Sequence, residues 1–90
     1  MDRMMLASRH MSDARRHLIA IDPQALPLAI AEVRLALEVL GPSPLDSDVA
    51  REWVRVLRDA VDGEAFESGR FMETVDALAS WLYWQEPASV

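Results

Sequence analysis

Apolar residues recur at spacings of three and four along most of this 90-residue chain. No segment alternates apolar and polar residues for long enough to predict a β-strand. Between the turn-forming residues, the pattern predicts four helices, at 3–20, 27–40, 46–62 and 69–85. Because the connections between them are short, we expect an all-α fold, a compact four-helix bundle with antiparallel neighbours.

A single helical domain over residues 1–90 accounts for the whole chain, with 86–90 as a tail after Gln85. Met11 is as natural a start as Met1, which leaves open whether residues 1–10 belong to the first helix or form a flexible extension.

Prolines, glycines and capping residues set the predicted helix ends. Asp22, followed by proline, is a helix-start signal, but Pro27 would remove a hydrogen bond of a helix that began there. We therefore expect a single turn at 23–26 and the main second helix from about Pro27. Gly41 is the predicted C-terminal cap of that helix, and Ser68 is the predicted N-terminal cap of the fourth.

The second helix is apolar around nearly its whole circumference, with only Arg34 and Glu38 marking a polar strip. Such a helix is expected to be buried on almost every side. In a chain of this size, either it is the central helix of the bundle, or a second copy of the chain covers part of it. Leu28 and Leu37 are the candidate contact residues on this helix. Glu32 lies within the apolar arc and is an unexpected residue there.

Aromatic residues at the end of the fourth helix suggest a surface for a partner. On a helical wheel Trp84 points almost directly away from the apolar face, and Trp81 and Tyr83 lie on its two flanks. Exposed Trp and Tyr are enriched at interaction hot spots. An alternative is that the first helix or the tail covers Trp84. The apolar face itself is predicted to comprise Phe71, Met72, Val75, Leu78, Ala79 and Leu82.

The chain carries a net charge of −6, and the charge is uneven. Residues 1–45 hold five acidic and five basic residues, whereas 46–90 hold ten acidic and four basic. A negative half disfavours phosphate contact there. Arg9, Arg15 and Arg16 form the basic cluster of the chain, and they leave a DNA-binding role open; the acidic half could alternatively mimic nucleic acid.

The absence of cysteine removes disulfides and thiolate zinc sites, and it favours a cytoplasmic location. The use of arginine without lysine is typical of a GC-rich, bacterial coding sequence.

Candidate catalytic and metal-binding residues are few. His10 and His17 are about 10 Å apart along one helix, which is too far for one metal ion to bridge. Glu32 is the acid that the pattern places in apolar surroundings, where a raised pKa could serve acid–base chemistry. Neither a nucleophile motif nor a glycine-rich phosphate loop is present. We therefore expect no metal and no cofactor.

Taken together, these features predict a small non-catalytic interaction or regulatory protein that self-associates. One alternative is a nucleic-acid-linked regulator, and another is a ligand-binding protein or enzyme with an interhelical pocket near Glu32. The predicted contact residues are Trp81, Tyr83, Trp84, Leu28 and Leu37.

Overall fold

Four helices build the chain, which was described from a computed structural model over residues 3–20, 24–41, 45–63 and 67–85. Within these ranges there is no strand, and the all-α prediction is confirmed. None of the helices in these ranges combines the length and the apolarity that crossing a membrane requires. The helices are α1 (Arg3–Ile19), α2 (Ala25–Leu40), α3 (Asp48–Val61) and α4 (Ser68–Gln85).

α2 begins earlier than predicted and continues through Pro27. Pro27 is only the third helical residue, and the first four N–H groups of any helix have no partner within the helix. Its missing N–H therefore breaks no bond, and the N–H of Leu28 donates to the Gln24 carbonyl at 3.2 Å. The predicted start at Asp22 lies outside the described residues. At the other end Gly41 has φ 69°, and its N–H donates to Leu37, which confirms the predicted cap.

The starts of α3 and α4 are capped by different side chains. The Ser47 hydroxyl accepts the Ala50 N–H at 3.2 Å. Before α4 the Glu67 carboxylate accepts the N–H groups of Gly69 and Arg70 at 2.9 and 2.7 Å. The prediction of Ser68 as the cap was wrong by one residue, because a carboxylate on the longer glutamate side chain reaches both N–H groups.

α1 packs most extensively on α2 and next on α4, while α3 closes the bundle against α4 and, over a smaller contact, α2. His10 meets Glu32, and Arg15 meets Asp76. Arg3 lies beside Gly41, so the order along α2 runs opposite to that along α1. Each helix thus contacts the next one in chain order, which is the arrangement of a four-helix bundle.

Two arginines link α2 and α3 by donating to carbonyls at the C-terminal ends of these helices. Arg34 of α2 donates to the Val61 carbonyl at the end of α3. Arg58 of α3 donates at 2.8 Å to the Gly41 carbonyl at the end of α2. Both carbonyls belong to helix ends, where no backbone partner exists and the dipole favours a cation. The two side chains therefore reinforce the small contact between α2 and α3.

All four helices contribute to the core, with several alanines on α1 and α2 and mostly larger side chains on α4. Alanines at the α1–α2 contact let these helices approach closely, and Phe71 is the largest side chain that is fully buried. The central cluster comprises Ala7, Met11, Ala14, Ala29, Val33, Ala36, Leu37, Leu40, Leu57, Ala60, Phe71, Val75, Leu78, Ala79 and Leu82.

The prediction that α2 is the central helix of the bundle, buried on almost every side within one chain, was wrong, whereas its coverage by a second copy stays a prediction. Neighbouring helices cover only part of its circumference, and Leu28 and Leu35 stay 47% and 44% exposed. Leu37 instead belongs to the core at 7% exposure, so it offers little area to a partner. Met72 of α4, predicted to face the core, is 45% exposed. A helical wheel fixes angles within one helix but does not say how many neighbours cover it.

Candidate interaction surface

The last turn of α4 leaves two large aromatic side chains on the surface. Trp84 is 79% exposed and Tyr83 is 59% exposed, although Leu82 in the same turn is fully buried. The Tyr83 and Trp84 rings meet edge to face, with centroids 5.7 Å apart. Trp81, the third aromatic residue predicted for this surface, is partly buried and packs against the core. Tyr83 and Trp84 are named the aromatic pair below.

Helix geometry explains why the aromatic pair faces outward. At 3.6 residues per turn, successive side chains are rotated by 100°. Phe71, Val75 and Leu82 fall on the core side of α4, and the positions after Leu82 are therefore turned out of the core. The two polar atoms of the pair, the tyrosine hydroxyl and the indole N–H, can bind water or a partner there.

A cleft between α1 and α4 borders the aromatic pair. Tyr83 forms part of its wall, and the volume of the cleft is about 440 Å³. Arg16 is ion-paired with Asp13 inside the cleft, whereas no described residue pairs with Arg9. The other lining residues are Ser8 and Ser12. The surface beside the aromatic pair is therefore polar and carries net positive charge.

The basic cluster predicted on α1 is largely paired within the chain. Arg15 contacts Asp76 of α4 at 3.4 Å, and Arg16 contacts Asp13. Each of these arginines already has an anionic partner, which reduces the field available to a phosphate backbone. Among the three arginines of the cluster, Arg9 has no such partner in the described part of the chain.

Glu32, the unexpected acid of α2, pairs with a histidine across the bundle. Its carboxylate lies 2.7 Å from Nδ1 of His10, and the two side chains are 25% and 24% exposed. The sequence pattern does not identify His10 as the partner of Glu32, because 22 residues separate the two positions. The pair links α1 to α2 and accounts for a carboxylate in an apolar arc.

Across the described ranges, no group of three or more His, Cys, Asp or Glu side chains converges in a way that could hold a metal ion. His10 is engaged with Glu32, and His17 lies two turns further along α1.

The other residues predicted to contact a partner do not join the aromatic pair. Leu28 is exposed on α2, a helix that shares no extensive contact with α4. Leu28 and Leu35 form a separate apolar strip, seven residues apart on one face of α2. In the described part of the chain, the Leu28–Leu35 strip and the aromatic pair are therefore separate apolar surfaces, and the aromatic pair is the more exposed of these two.

Neither the models of protein families, nor the curated proteins, nor the solved structures contain a match to this chain.

Proposed function

We propose that this chain is a small, non-catalytic interaction protein that binds another protein through the aromatic pair, and that the simplest partner is a second copy of itself. The observation that carries the proposal is the 79% exposure of Trp84 beside the 59% exposure of Tyr83. Both residues combine a large apolar area with a hydrogen-bonding group, which makes them effective anchors in protein interfaces.

The charge of the molecule favours a protein partner over nucleic acid. The chain carries a net charge of −6, and two arginines of the α1 cluster already have carboxylate partners. Nucleic-acid affinity depends on several unpaired cations along one face. A protein partner needs only a complementary patch with a few well-packed anchors.

Sedimentation velocity over the micromolar range tests this proposal. We expect reversible association of the wild-type chain, and we expect Trp84→Ala to weaken it by about thirty-fold, which corresponds to the roughly 2 kcal/mol typical of a hot-spot tryptophan. Val49→Ala is the matched control, because Val49 is 58% exposed on α3, outside both apolar surfaces.

The variant Leu28→Ala tests which of the two apolar surfaces, the α2 strip or the aromatic pair, forms the interface. If the aromatic pair is the interface, this variant associates as the wild type does. A stronger loss in Leu28→Ala than in Trp84→Ala would assign the interface to α2. A wild-type chain that stays monomeric, and that retains no partner from its native host in a Trp84-dependent manner, would refute the proposal.

A further inference from the structure

Three side chains of the α1–α4 cleft offer hydrogen-bond donors that the chain itself does not use. Ser8 and Ser12 lie about one helical turn apart on α1, and Arg9 lies next to Ser8. In the described part of the chain, no residue forms a hydrogen bond or an ion pair with these two hydroxyl groups or with this guanidinium group. All three groups are therefore available to a molecule that enters the cleft.

The position of Ser8 distinguishes this cleft from ordinary exposed surface. Only 1% of the residue is exposed, although it lines the cleft. Within the described ranges, every side-chain nitrogen or oxygen that is fully buried has a hydrogen-bond partner. Because the Ser8 hydroxyl has no partner there, the small exposed area of the residue includes this hydroxyl. A donor in so confined a position gains more from a ligand oxygen than an exposed donor does, since little water competes for it.

The charge of the cleft is positive, in a chain whose net charge is −6. Arg9 and Arg16 line it, against one acid, Asp13. A second cleft, between α2 and α3, has two arginines and two acids, and both arginines already donate to helix-end carbonyls. A third cleft, between α3 and α4, has two glutamates and one arginine. Of these three clefts, the α1–α4 cleft is therefore the one that attracts an anion.

We infer that the α1–α4 cleft binds a small organic phosphate, with its phosphate group on Arg9 and the two serine hydroxyls and its organic part against Tyr83. A phosphate monoester carries a charge of about −1.5 to −2 at neutral pH and three acceptor oxygens. A guanidinium group donates to two of these oxygens at once, and the hydroxyls donate to the third. The cleft volume of about 440 Å³ lies in the range of small-molecule sites and leaves room for an organic part.

Arg16 and Asp13 adjust the charge that the phosphate meets. Asp13 accepts a hydrogen bond from one nitrogen of Arg16, and a guanidinium group has five N–H donors, so Arg16 keeps donors for the ligand. The Asp13 carboxylate itself repels an anion. Removal of its charge should therefore strengthen phosphate binding, whereas the same change would weaken the binding of a cation.

This inference goes beyond the proposed function and does not rest on it. Trp84, the main anchor for a protein partner, does not line the cleft within the described part of the chain. The charge argument against nucleic acid also stands, because one phosphate group needs fewer unpaired cations than a nucleic-acid backbone does.

Three small anions test the site in a nitrogen-15 NMR titration of the full chain, at constant pH and ionic strength in a phosphate-free buffer. Phenyl phosphate carries a phosphate group and a ring; inorganic phosphate lacks the ring, and benzoate has a carboxylate in place of the phosphate. We expect saturable shifts of the Ser8, Arg9 and Ser12 amides. Phenyl phosphate should bind at least about fivefold more tightly than either other anion, because only it combines ring contact with Tyr83 and a third acceptor oxygen.

Variants of the lining residues locate the bound phosphate. Arg9→Gln is expected to weaken phenyl phosphate binding by about tenfold and Ser8→Ala by about threefold, since each removes a hydrogen-bond donor. Asp13→Asn is expected to strengthen it by about two- to fivefold. Arg51→Gln and Asp59→Asn make the same charge changes on α3 and are expected to leave the affinity unchanged. Circular dichroism verifies that each variant folds.

Several outcomes would overturn the inference. Shifts that rise without saturation, or saturable binding that Arg9→Gln and Ser8→Ala leave unchanged, would show that the cleft holds no phosphate site. Benzoate that binds as tightly as phenyl phosphate would overturn the choice of phosphate, and inorganic phosphate that binds as tightly would overturn the organic ligand. Trp84-dependent association without phosphate binding would leave the proposed function standing, and phosphate binding to a chain that stays monomeric would leave this inference standing.

Discussion

Truncation of two nearby residues on α4 should lower the free energy of unfolding by very different amounts. Leu82 is fully buried in the core, whereas Trp84, two positions on, is 79% exposed. Leu82→Ala removes buried methyl groups and leaves a cavity, which costs about 2–5 kcal/mol. The total stability of a 90-residue domain is about 5–13 kcal/mol, so this loss is a large fraction of it.

The cost of Trp84→Ala follows from its remaining contacts. A tryptophan offers up to about 250 Å² of surface, of which the exposure of 79% leaves about 50 Å² in contact with the chain. At about 25 cal/mol per Å² this contact is worth about 1 kcal/mol. The larger side chain is therefore expected to contribute less to the free energy of unfolding than the smaller one.

Urea and thermal denaturation, each followed by circular dichroism, measure both effects at a protein concentration where the chain is monomeric. Leu82→Ala is expected to lower the thermal midpoint by about 10–30 °C, and Trp84→Ala by less than about 8 °C. A loss above about 2 kcal/mol in Trp84→Ala, independent of protein concentration, would mean that the chain itself covers this side chain. The argument for an interaction surface would then fail.

Three further predictions concern polar contacts. In a double-mutant cycle, His10→Ala and Glu32→Ala should show a coupling free energy of about 1 kcal/mol, because each removes the same hydrogen bond between α1 and α2. Glu67→Ala should cost about 0.5–2 kcal/mol by removing the acceptor of two N–H groups, measured by urea denaturation. Hydrogen bonding from Arg55 lowers the pKa of Glu52 below 4.5, so Arg55→Gln should raise that pKa in a carbon-13 NMR titration.

Control variants, and the direction in which stability changes with pH, distinguish the loss of these contacts from general destabilisation. Glu67→Gln keeps an acceptor and should retain part of the capping free energy, whereas equal losses in both variants would argue against capping. Because folding lowers the pKa of Glu52, its pairing stabilises the chain above pH 4.5 and loses that effect as the pH falls through the lowered pKa. Additive effects of the His10 and Glu32 variants would show that the two groups do not act as a pair.

The sequence predicts the helices well because their ends carry strong local signals. Gly41 and Gly63 both have positive φ, at 69° and 80°, and each follows a helix. The predicted start of α3 is confirmed within two residues by the Ser47 cap. Pro27 misled the prediction because its effect depends on where the helix begins, and that start was itself uncertain from sequence.

Features that depend on neighbouring helices could not be derived from periodicity. The partner of Glu32 lies on another helix, and no local pattern identifies it. The sequence pattern places Met72 in the core and Leu37 at a contact surface, whereas the structure exposes Met72 and buries Leu37. The pattern fails here because a helical wheel gives only relative angles within one helix. The outward direction of Trp84 was predictable, since it follows from its rotation relative to Leu82 in the same turn.

Folding does not require aromatic residues at positions 83 and 84. The core side of α4 includes Leu82, whereas Tyr83 and Trp84 are 59% and 79% exposed, so polar side chains at these two positions would remove only partial contacts with the chain. By the area argument used for Trp84, the remaining contacts of both rings are worth about 3 kcal/mol, so a double variant, Tyr83→Ser with Trp84→Ser, should lower the free energy of unfolding by no more than that relative to the monomeric wild type. If it does so and still loses association, the aromatic pair serves contacts made outside the folded chain; if it unfolds far more readily, the pair belongs to the core, and its role is structural.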